Sequence, residues 1–337
     1  MSSDPDAGAP VAGAVDDDAP AAAPTSAAAT GTLTNPRRVR HRARVRSLRG
    51  LLMASPPLLL IAAFTGFPIV LAIAYSLGHT GGLNSTTALI AQHQHVKTEW
   101  WGTLGAYREV LTNERFQRDL RVTLLVTVVS TTVVLALALI IALYLRLAGG
   151  WAAKALTVVS VVPMFIPVVI ASWAVLMFYA PDGFLRSLFA QVGLEGPTFG
   201  YTVTAIIIAQ VWCSLPFAVL MCASGVQAVP DALIDAARDS GAGLVRTTFS
   251  VILPMAFVPI VIAATFTAIG IIGSFTVPYF TGPTAPTMLG VDMANYFTAY
   301  NRPQQSIVMA VVVFVAASLI AVTYVWANFR SSKESGA

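Results

Sequence analysis

Few residues of this sequence have the types and spacing that chemistry requires. His93 and His95 stand two residues apart and could supply two ligands to a metal, but no third ligand accompanies them. We interpret the pair as part of a solvated loop and expect no metal. None of the three lysines follows a glycine, so the sequence lacks the G-x-x-x-x-G-K-[ST] loop that cradles nucleotide phosphates. We therefore expect neither a catalytic residue nor a bound cofactor in this chain.

The composition is that of a membrane protein. Of the 337 residues, 56% are hydrophobic and 11% are charged, which is too apolar for a soluble domain. A helix of roughly 20 apolar residues crosses the hydrocarbon of a bilayer. Runs without Asp, Glu, Lys or Arg predict six such spans, at about 51–77, 122–145, 156–180, 202–227, 256–279 and 306–327. The sequence therefore predicts an all-α integral membrane domain over residues 51–329.

Acidic and basic side chains are absent from all six predicted spans. A proton-coupled carrier usually holds such a residue at membrane depth, because a charge there is costly and is kept for function. Uphill transport by this chain would therefore take its energy from a partner protein. Two alternatives stay open: a stand-alone ion-coupled secondary transporter, which would bind sodium through carbonyl and hydroxyl oxygens, and a scaffold that moves no solute.

Basic residues predict how the spans are oriented. Residues 1–36 are rich in Ala, Pro, Asp and Ser and are expected to be disordered, and the segment 37–50 then carries seven arginines. We place this segment in the cytoplasm against anionic lipid headgroups and expect no nucleic acid partner. In that orientation 13 of the 20 Lys and Arg residues lie inside. Six spans return the C-terminal tail, 330–337, to the cytoplasm as well.

The segment 231–254, between the fourth and fifth spans, therefore faces the cytoplasm and interrupts the apolar chain with a short polar helix. Pro230 and Asp231 predict the start of this helix, and we expect the Asp231 carboxylate to cap free backbone N–H groups. Gly241 and Gly243 then permit a sharp turn.

The two sides of this short helix differ in character. One face carries mostly small residues, namely Leu233, Ala236, Ala237, Ser240 and Gly241. Such a face lets another surface approach the backbone closely, whereas the opposite side carries the charged residues Asp235, Arg238 and Asp239. After the glycines, a second amphipathic piece is predicted to carry Val245, Phe249 and Ile252 on one face. Leu253 and Pro254 lead from it into the fifth span.

The order of residues in this segment resembles the cytoplasmic EAA loop of permeases in binding-protein-dependent ABC importers. The pattern of that loop is E-A-A, three residues, G, nine residues, I, one residue and L-P, and the spacing is kept here at Asp235, Ala236, Ala237, Gly241, Val251, Leu253 and Pro254. Asp replaces the usual Glu at the first position, and Val replaces the usual Ile. The resemblance extends over about residues 50–330, including GAYREVL before the second span and the W-x-x-L-P-F run Trp212–Phe217.

This resemblance implies a type I ABC importer permease fold of six spans with a cytoplasmic coupling helix, in a bacterial plasma membrane. It implies a cytoplasmic ABC ATPase dimer that carries ATP and Mg²⁺, a second permease subunit and an extracytoplasmic solute-binding protein as partners. The residues implied in coupling to the ATPase are Asp235, Ala236, Ala237, Arg238, Asp239, Gly241, Leu253 and Pro254. We call residues 231–254 the EAA-like segment.

The cargo is less clearly indicated by the resemblance. Sugar permeases usually read E-A-A-x-I-D-G-A, whereas Arg238 and Asp239 give this loop the reading of the polyamine, sulfate and iron importers. The run Gly273–Phe297 also resembles the polyamine and opine group, although Ser274 stands where that group has Glu. We therefore expect a polyamine-like solute, with a sugar as the alternative.

A translocation path needs polar or aromatic residues that face the interior of the bundle. The candidates are Ser130, Gln210, Trp212, Ser214, Ser274, Thr276 and Tyr279. The alternative for each hydroxyl is a hydrogen bond to its own helix or across a helix interface.

Overall fold

The computed structural model of the protein describes residues 53–79, 102–282 and 286–334. The predicted N-terminal tail, the basic segment, and His93 and His95 lie outside these ranges. Every regular element in the described ranges is helical, and no strand occurs in them. The predicted all-α architecture is therefore confirmed.

Thirteen helices follow one another along the described ranges. In order they are α1 (Met53–Ser76), α2 (Gly105–Thr112), α3 (Glu114–Leu147), α4 (Gly150–Val161), α5 (Val168–Tyr179), α6 (Phe184–Gln191), α7 (Val203–Gln227), α8 (Asp231–Asp239), α9 (Leu244–Met255), α10 (Phe257–Ile272), α11 (Thr276–Thr281), α12 (Leu289–Thr298) and α13 (Pro303–Glu334). A π-helical turn interrupts α1 at Ala62–Gly66 and α9 at Thr248–Ile252.

Five stretches of the described residues are long and apolar enough to cross a membrane. They are α1, α3, the α5–α6 stretch Val168–Gln191, α7 and the Pro303–Val322 part of α13. Helices α9 and α10 pass the same test together, although the chain bends by 72° between them. Counted as one broken span, this pair brings the described residues to the six spans that the sequence predicts.

The third predicted span is not a continuous helix. The sequence predicts one span over 156–180, whereas the structure ends α4 at Val161, forms a 3₁₀ turn over Val162–Phe165 and starts α5 at Val168. Pro163 and Pro167 explain the break, because proline has no backbone N–H and disfavours helical geometry in the residue before it. Ile166 accordingly adopts an extended conformation.

The fifth predicted span, 256–279, also differs at its end. Helix α10 stops at Ile272, and a short irregular link over Gly273–Phe275 separates it from α11. The link places the backbone of Ser274 against α12, because a Cβ atom built on Gly290 would lie 2.4 Å from the Ser274 carbonyl oxygen. Only glycine allows this approach.

The chain divides into two units, residues 1–62 and residues 63–337. Within the second unit, α3 packs most extensively against α7, and α10 packs against both of them and against α13. Small and β-branched side chains fill the α3–α7 contact, including Val134, Ala138, Ala218 and Cys222. Such residues allow helices in a membrane to approach closely, where dispersion contacts stabilise the pair.

Helix α7 approaches α10 closely at Gly225. A Cβ atom built there would lie 2.6 Å from Cβ and 2.8 Å from Cγ of Pro259. A proline ring cannot rotate away, so any larger residue must separate the two helices.

We predict that Gly225→Ala lowers the unfolding temperature of the detergent-solubilised protein, through a loss of about 1–3 kcal/mol from overpacking. The matched control is Gly270→Ala in α10, where an added Cβ meets no atom within 4 Å. Alanine there should be neutral or stabilising, since it is a better helix former than glycine. Equal unfolding temperatures for the two variants would contradict the close approach.

Two buried carboxylates lie where α3 meets α12. Arg115 Nη2 donates to Asp292 Oδ1 at 2.7 Å, and Arg115 Nε lies 3.9 Å from Asp119 Oδ2. Both carboxylates are completely buried, and Arg115 Nη1 also donates to the Tyr300 hydroxyl at 3.0 Å. The Arg115 guanidinium therefore offsets negative charge on two carboxylates that water does not reach. Burial, and then the charge of Asp292, raises the pKa of the nearby Tyr296 phenol, which stays neutral.

The same end of α3 holds the chain between α11 and α12. The Thr287 N–H donates to Asp119 Oδ1 at 3.3 Å, and the Leu289 N–H donates to Thr123 Oγ1 at 2.9 Å. These side chains satisfy backbone groups that would otherwise be buried without partners. We call residues 286–292 the α12 entry segment.

Candidate functional site

The EAA-like segment folds as two helices joined by a glycine turn. Helix α8 ends where Gly241 takes the left-handed conformation, with φ of +82°. Its N–H donates to Arg238 O at 2.8 Å, and the Ala242 N–H donates to Ala237 O at 3.0 Å. This is the usual way in which a glycine terminates a helix, and it satisfies carbonyl groups of the last turn.

The structure presents nearly all of α8 outward. Among its residues, each of which the structure describes, only Ile234 is buried. Ile234 joins a cluster with Val229, Ile252 and Ala256, so it attaches α8 to α9 and to the end of α7. The residues of the predicted small face are exposed or partly exposed: Leu233, Ala236, Ala237, Ser240 and Gly241. The charged residues of the other side, Asp235, Arg238 and Asp239, are exposed as well.

The prediction that Val245, Phe249 and Ile252 share a face is wrong. Val245 and Phe249 are 73% and 68% exposed, whereas Ile252 is fully buried. The reason is the π-helical turn Thr248–Ile252, which widens the helix locally and rotates the residues after it relative to an α-helix. The turn therefore places Ile252 in the interior while Val245 and Phe249 stay at the surface.

Leu253 and Pro254 form the last turn of α9. Leu253 is partly buried and Pro254 is exposed, and the bend after them is centred on the buried Ala256. The two residues therefore lie where α9 turns into α10.

Asp231 does not cap α8 as predicted. Pro230 is the N-cap residue, and no side chain accepts a hydrogen bond from the first turn. The Asp231 carboxylate contacts Arg146 at the end of α3 instead, at 2.5 Å. Sequence reasoning missed Arg146, because its contacts join residues more than 80 positions apart.

One candidate path residue, Ser214, lines a cavity of about 270 Å³ between α7 and α10. The other lining residues are Phe217, Phe266, Thr267 and Gly270. The two phenyl rings have centroids 6.0 Å apart and are tilted by 56°, and Thr267 Oγ1 is buried with no hydrogen-bond partner among the described residues. Of these other four, only Phe217 stood in a motif that the sequence singled out, because the cavity depends on how two distant helices pack.

The remaining candidate path residues lie elsewhere in the bundle. Ser130 and Gln210 are buried in the interior, and Ser130 Oγ and Gln210 Nε2 lack partners within the described ranges. Trp212, Ser274 and Thr276 are partly buried, and Tyr279 is exposed beside Phe275 and Phe280. None of these six lines the cavity.

Comparison with known proteins identifies the family of this chain. The profile of the family described as "Binding-protein-dependent transport system inner membrane component" matches residues 134–333, more than half of the chain. The chain belongs to this family. It is an ABC importer permease, a transport subunit of the inner membrane rather than an enzyme, as the EAA-like segment indicated.

Individual relatives agree with this membership. This chain is 31% identical over 288 residues to the trehalose transport system permease protein SugA of Mycobacterium tuberculosis, and the match covers 81% of this chain and 86% of SugA. It is 27% identical over 167 residues to the spermidine/putrescine transport system permease protein PotB of Haemophilus influenzae, covering 49% of this chain and 58% of PotB. The fold resembles a crystal structure of a bacterial ABC transporter involved in the import of the acidic polysaccharide alginate, with a TM-score of 0.62 at 17% identity, covering 88% and 99% of the two chains.

Proposed function

We propose that this inner membrane component conducts a solute through the membrane and that α8 and the start of α9 dock on an ATPase dimer in the cytoplasm. The observation that carries the proposal is the exposure of α8, which buries one side chain, Ile234, and presents small and charged residues at its surface. Exposed Val245 and Phe249 extend this surface with apolar area that a partner would bury.

The other partners complete the importer. ATP and Mg²⁺ bind to the ATPase, a second permease subunit forms the other half of the path, and a solute-binding protein delivers the solute from outside. Both termini lie in the cytoplasm.

We further propose that the cargo is a neutral saccharide. The cavity between α7 and α10 offers aromatic rings and hydroxyl groups and no charged side chain, which suits a ligand with both CH faces and hydroxyl groups. Arg238 and Asp239, which favoured a polyamine, lie on α8 and not in this cavity, so they bear on docking rather than on the cargo. The longer match to a trehalose permease than to a spermidine permease supports the same choice.

Reconstitution in liposomes tests both proposals. With the ATPase, the second permease and the binding protein, we expect ATP-dependent uptake of a labelled disaccharide that excess spermidine does not inhibit. Uptake by the purified chain alone, driven by an ion gradient, would establish the secondary transporter instead. Absence of uptake with the complete set would favour a scaffold.

We predict that Thr267→Val lowers disaccharide uptake several-fold without lowering stability. The Thr267 hydroxyl is buried without a partner among the described residues, so replacing it by a methyl group removes an unsatisfied polar group and costs the fold little. The matched control is Thr265→Val, two residues earlier in α10 and outside the cavity lining. If both variants import the disaccharide equally well, the cavity does not bind cargo.

A further inference from the structure

Arg146 lies in the last turn of α3 and reaches the junction of α7 and α8. Its Nη2 donates to Val229 O at 2.8 Å and to Asp231 Oδ1 at 2.5 Å. The Arg146 side chain is 18% exposed, and the Asp231 side chain is 80% exposed. Because the guanidinium is charged, both hydrogen bonds are charge-assisted, and they connect the start of α8 to the end of α3.

Helix α8 therefore has two attachments. Ile234 packs against Ile252 and Ala256, which lead into α10. Arg146 connects α8 to α3, which is distant from α8 along the chain. A displacement of α8 acts on both helices at once.

Helix α3 leads from this joint to the opposite side of the membrane. It is continuous over 34 residues, which at 1.5 Å per residue is about 51 Å. Near its other end, Asp119 and Thr123 accept hydrogen bonds from the backbone of the α12 entry segment. One helix thus contacts α8 at its cytoplasmic end and the α12 entry segment at its outer end.

We infer that Arg146 is a positioning residue for coupling: it transmits the movement of α8 to α3, and α3 carries it to the α12 entry segment. The inference rests on the proposed function of α8 as the ATPase-docking helix. A second route through the glycine turn, α9 and α10 operates beside it. Without Arg146, ATP hydrolysis continues and α10 still moves, but the α12 entry segment no longer moves with α8.

The first test measures ATP hydrolysed per solute imported by the reconstituted complex. Arg146→Gln is expected to co-purify with the ATPase and to hydrolyse ATP, but to import about fivefold less solute per ATP, or still less. Arg146→Lys retains the charge and is expected to recover part of the ratio. The control Lys154→Gln removes an exposed charge just after α3 and should match the wild type.

The second test follows the α12 entry segment directly. Pro286 is exposed, and a cysteine in its place removes no hydrogen bond, since proline has no backbone N–H to donate. In a background with Cys213 and Cys222 replaced, Pro286→Cys therefore reports the accessibility of the segment to a membrane-impermeant maleimide. We expect ATP to change the labelling rate in the complex that retains Arg146 and not in Arg146→Gln. If Arg146 had a purely structural role, Arg146→Gln would lower the amount of folded protein. The folded fraction would still show the ATP-dependent change in labelling rate.

The outcomes separate the two proposals. If Arg146→Gln keeps both the wild-type ratio and the wild-type labelling change, the inference is wrong while the proposed function stands. If Arg146→Gln does not fold, Asp231→Ala decides, since this exposed residue can be truncated without opening the core, and a wild-type ratio in that variant overturns the inference. If the wild-type complex shows no ATP-driven uptake, the proposed function itself is wrong.

Discussion

Gly241→Asp is expected to leave the protein inserted and folded but unable to hold its ATPase or to import solute. Gly241 is exposed, and a Cβ atom built there meets nothing within 4 Å, so the fold loses only the roughly 1–2 kcal/mol of a left-handed residue other than glycine. On the proposed docking face, by contrast, we expect a charged side chain to separate the surfaces of α8 and the ATPase. We expect a loss of about 2 kcal/mol or more in ATPase binding, roughly thirty-fold in affinity, measured by co-purification and by binding to the isolated ATPase.

Two variants isolate the cause of this effect. Gly243→Asp adds the same charge two residues later, at a position with φ of −68° and equal open space, and outside the small face. It should assemble and import normally. Gly241→Ala introduces the backbone strain without the charge and should fall between the wild type and Gly241→Asp. Normal assembly and uptake in Gly241→Asp would show that α8 is not part of the docking surface.

Arg115→Met is expected to give the largest loss of stability among the substitutions predicted here. It leaves the completely buried carboxylates of Asp119 and Asp292 without their guanidinium. Removing one partner of a buried ion pair costs about 3–5 kcal/mol, and we expect the low end because the Arg115 side chain is 32% exposed. The measurement is thermal unfolding of the solubilised protein.

A neighbouring arginine and a double mutant control this prediction. Arg118 lies 3.9 Å from Asp119 but is 55% exposed, so Arg118→Gln should cost no more than about 1 kcal/mol. Adding Asp292→Asn to Arg115→Met removes one of the two stranded carboxylates and should restore part of the stability, which a double-mutant cycle measures. Equal losses for Arg115→Met and Arg118→Gln would show that Arg115 does not neutralise the buried pair.

The features that the sequence predicts correctly depend on local patterns. Charge-free runs locate the spans because a helix must satisfy its own backbone in lipid, whatever its neighbours are. The small and charged faces of α8 follow from helical periodicity alone, and both lie at the surface in the structure. The glycine at position 241 is required locally by a positive φ, which explains its place in the motif.

The features that the sequence does not predict depend on packing or on a change of helical register. Nothing in residues 244–255 indicates the π-helical turn that buries Ile252 and leaves Val245 and Phe249 outside. The link from Arg146 to Asp231 and the cavity beside Thr267 each join separate helices, so no local pattern reveals them. The two prolines at 163 and 167 were visible in the sequence, but their effect on the third span depended on neighbours that could accommodate a break.

The length of α3 restricts how the protein can move. Arg121 and Arg146 border its charge-free stretch, so we expect their guanidinium groups to lie at opposite surfaces of the bilayer. Sliding the helix by one turn, about 5.4 Å, would push one of these charges toward hydrocarbon, where the cost reaches about 2.5–3.5 kcal/mol at the centre. Tilting the helix keeps both charges in the headgroups. We therefore expect α3 to pivot within the bilayer rather than to travel along its own axis.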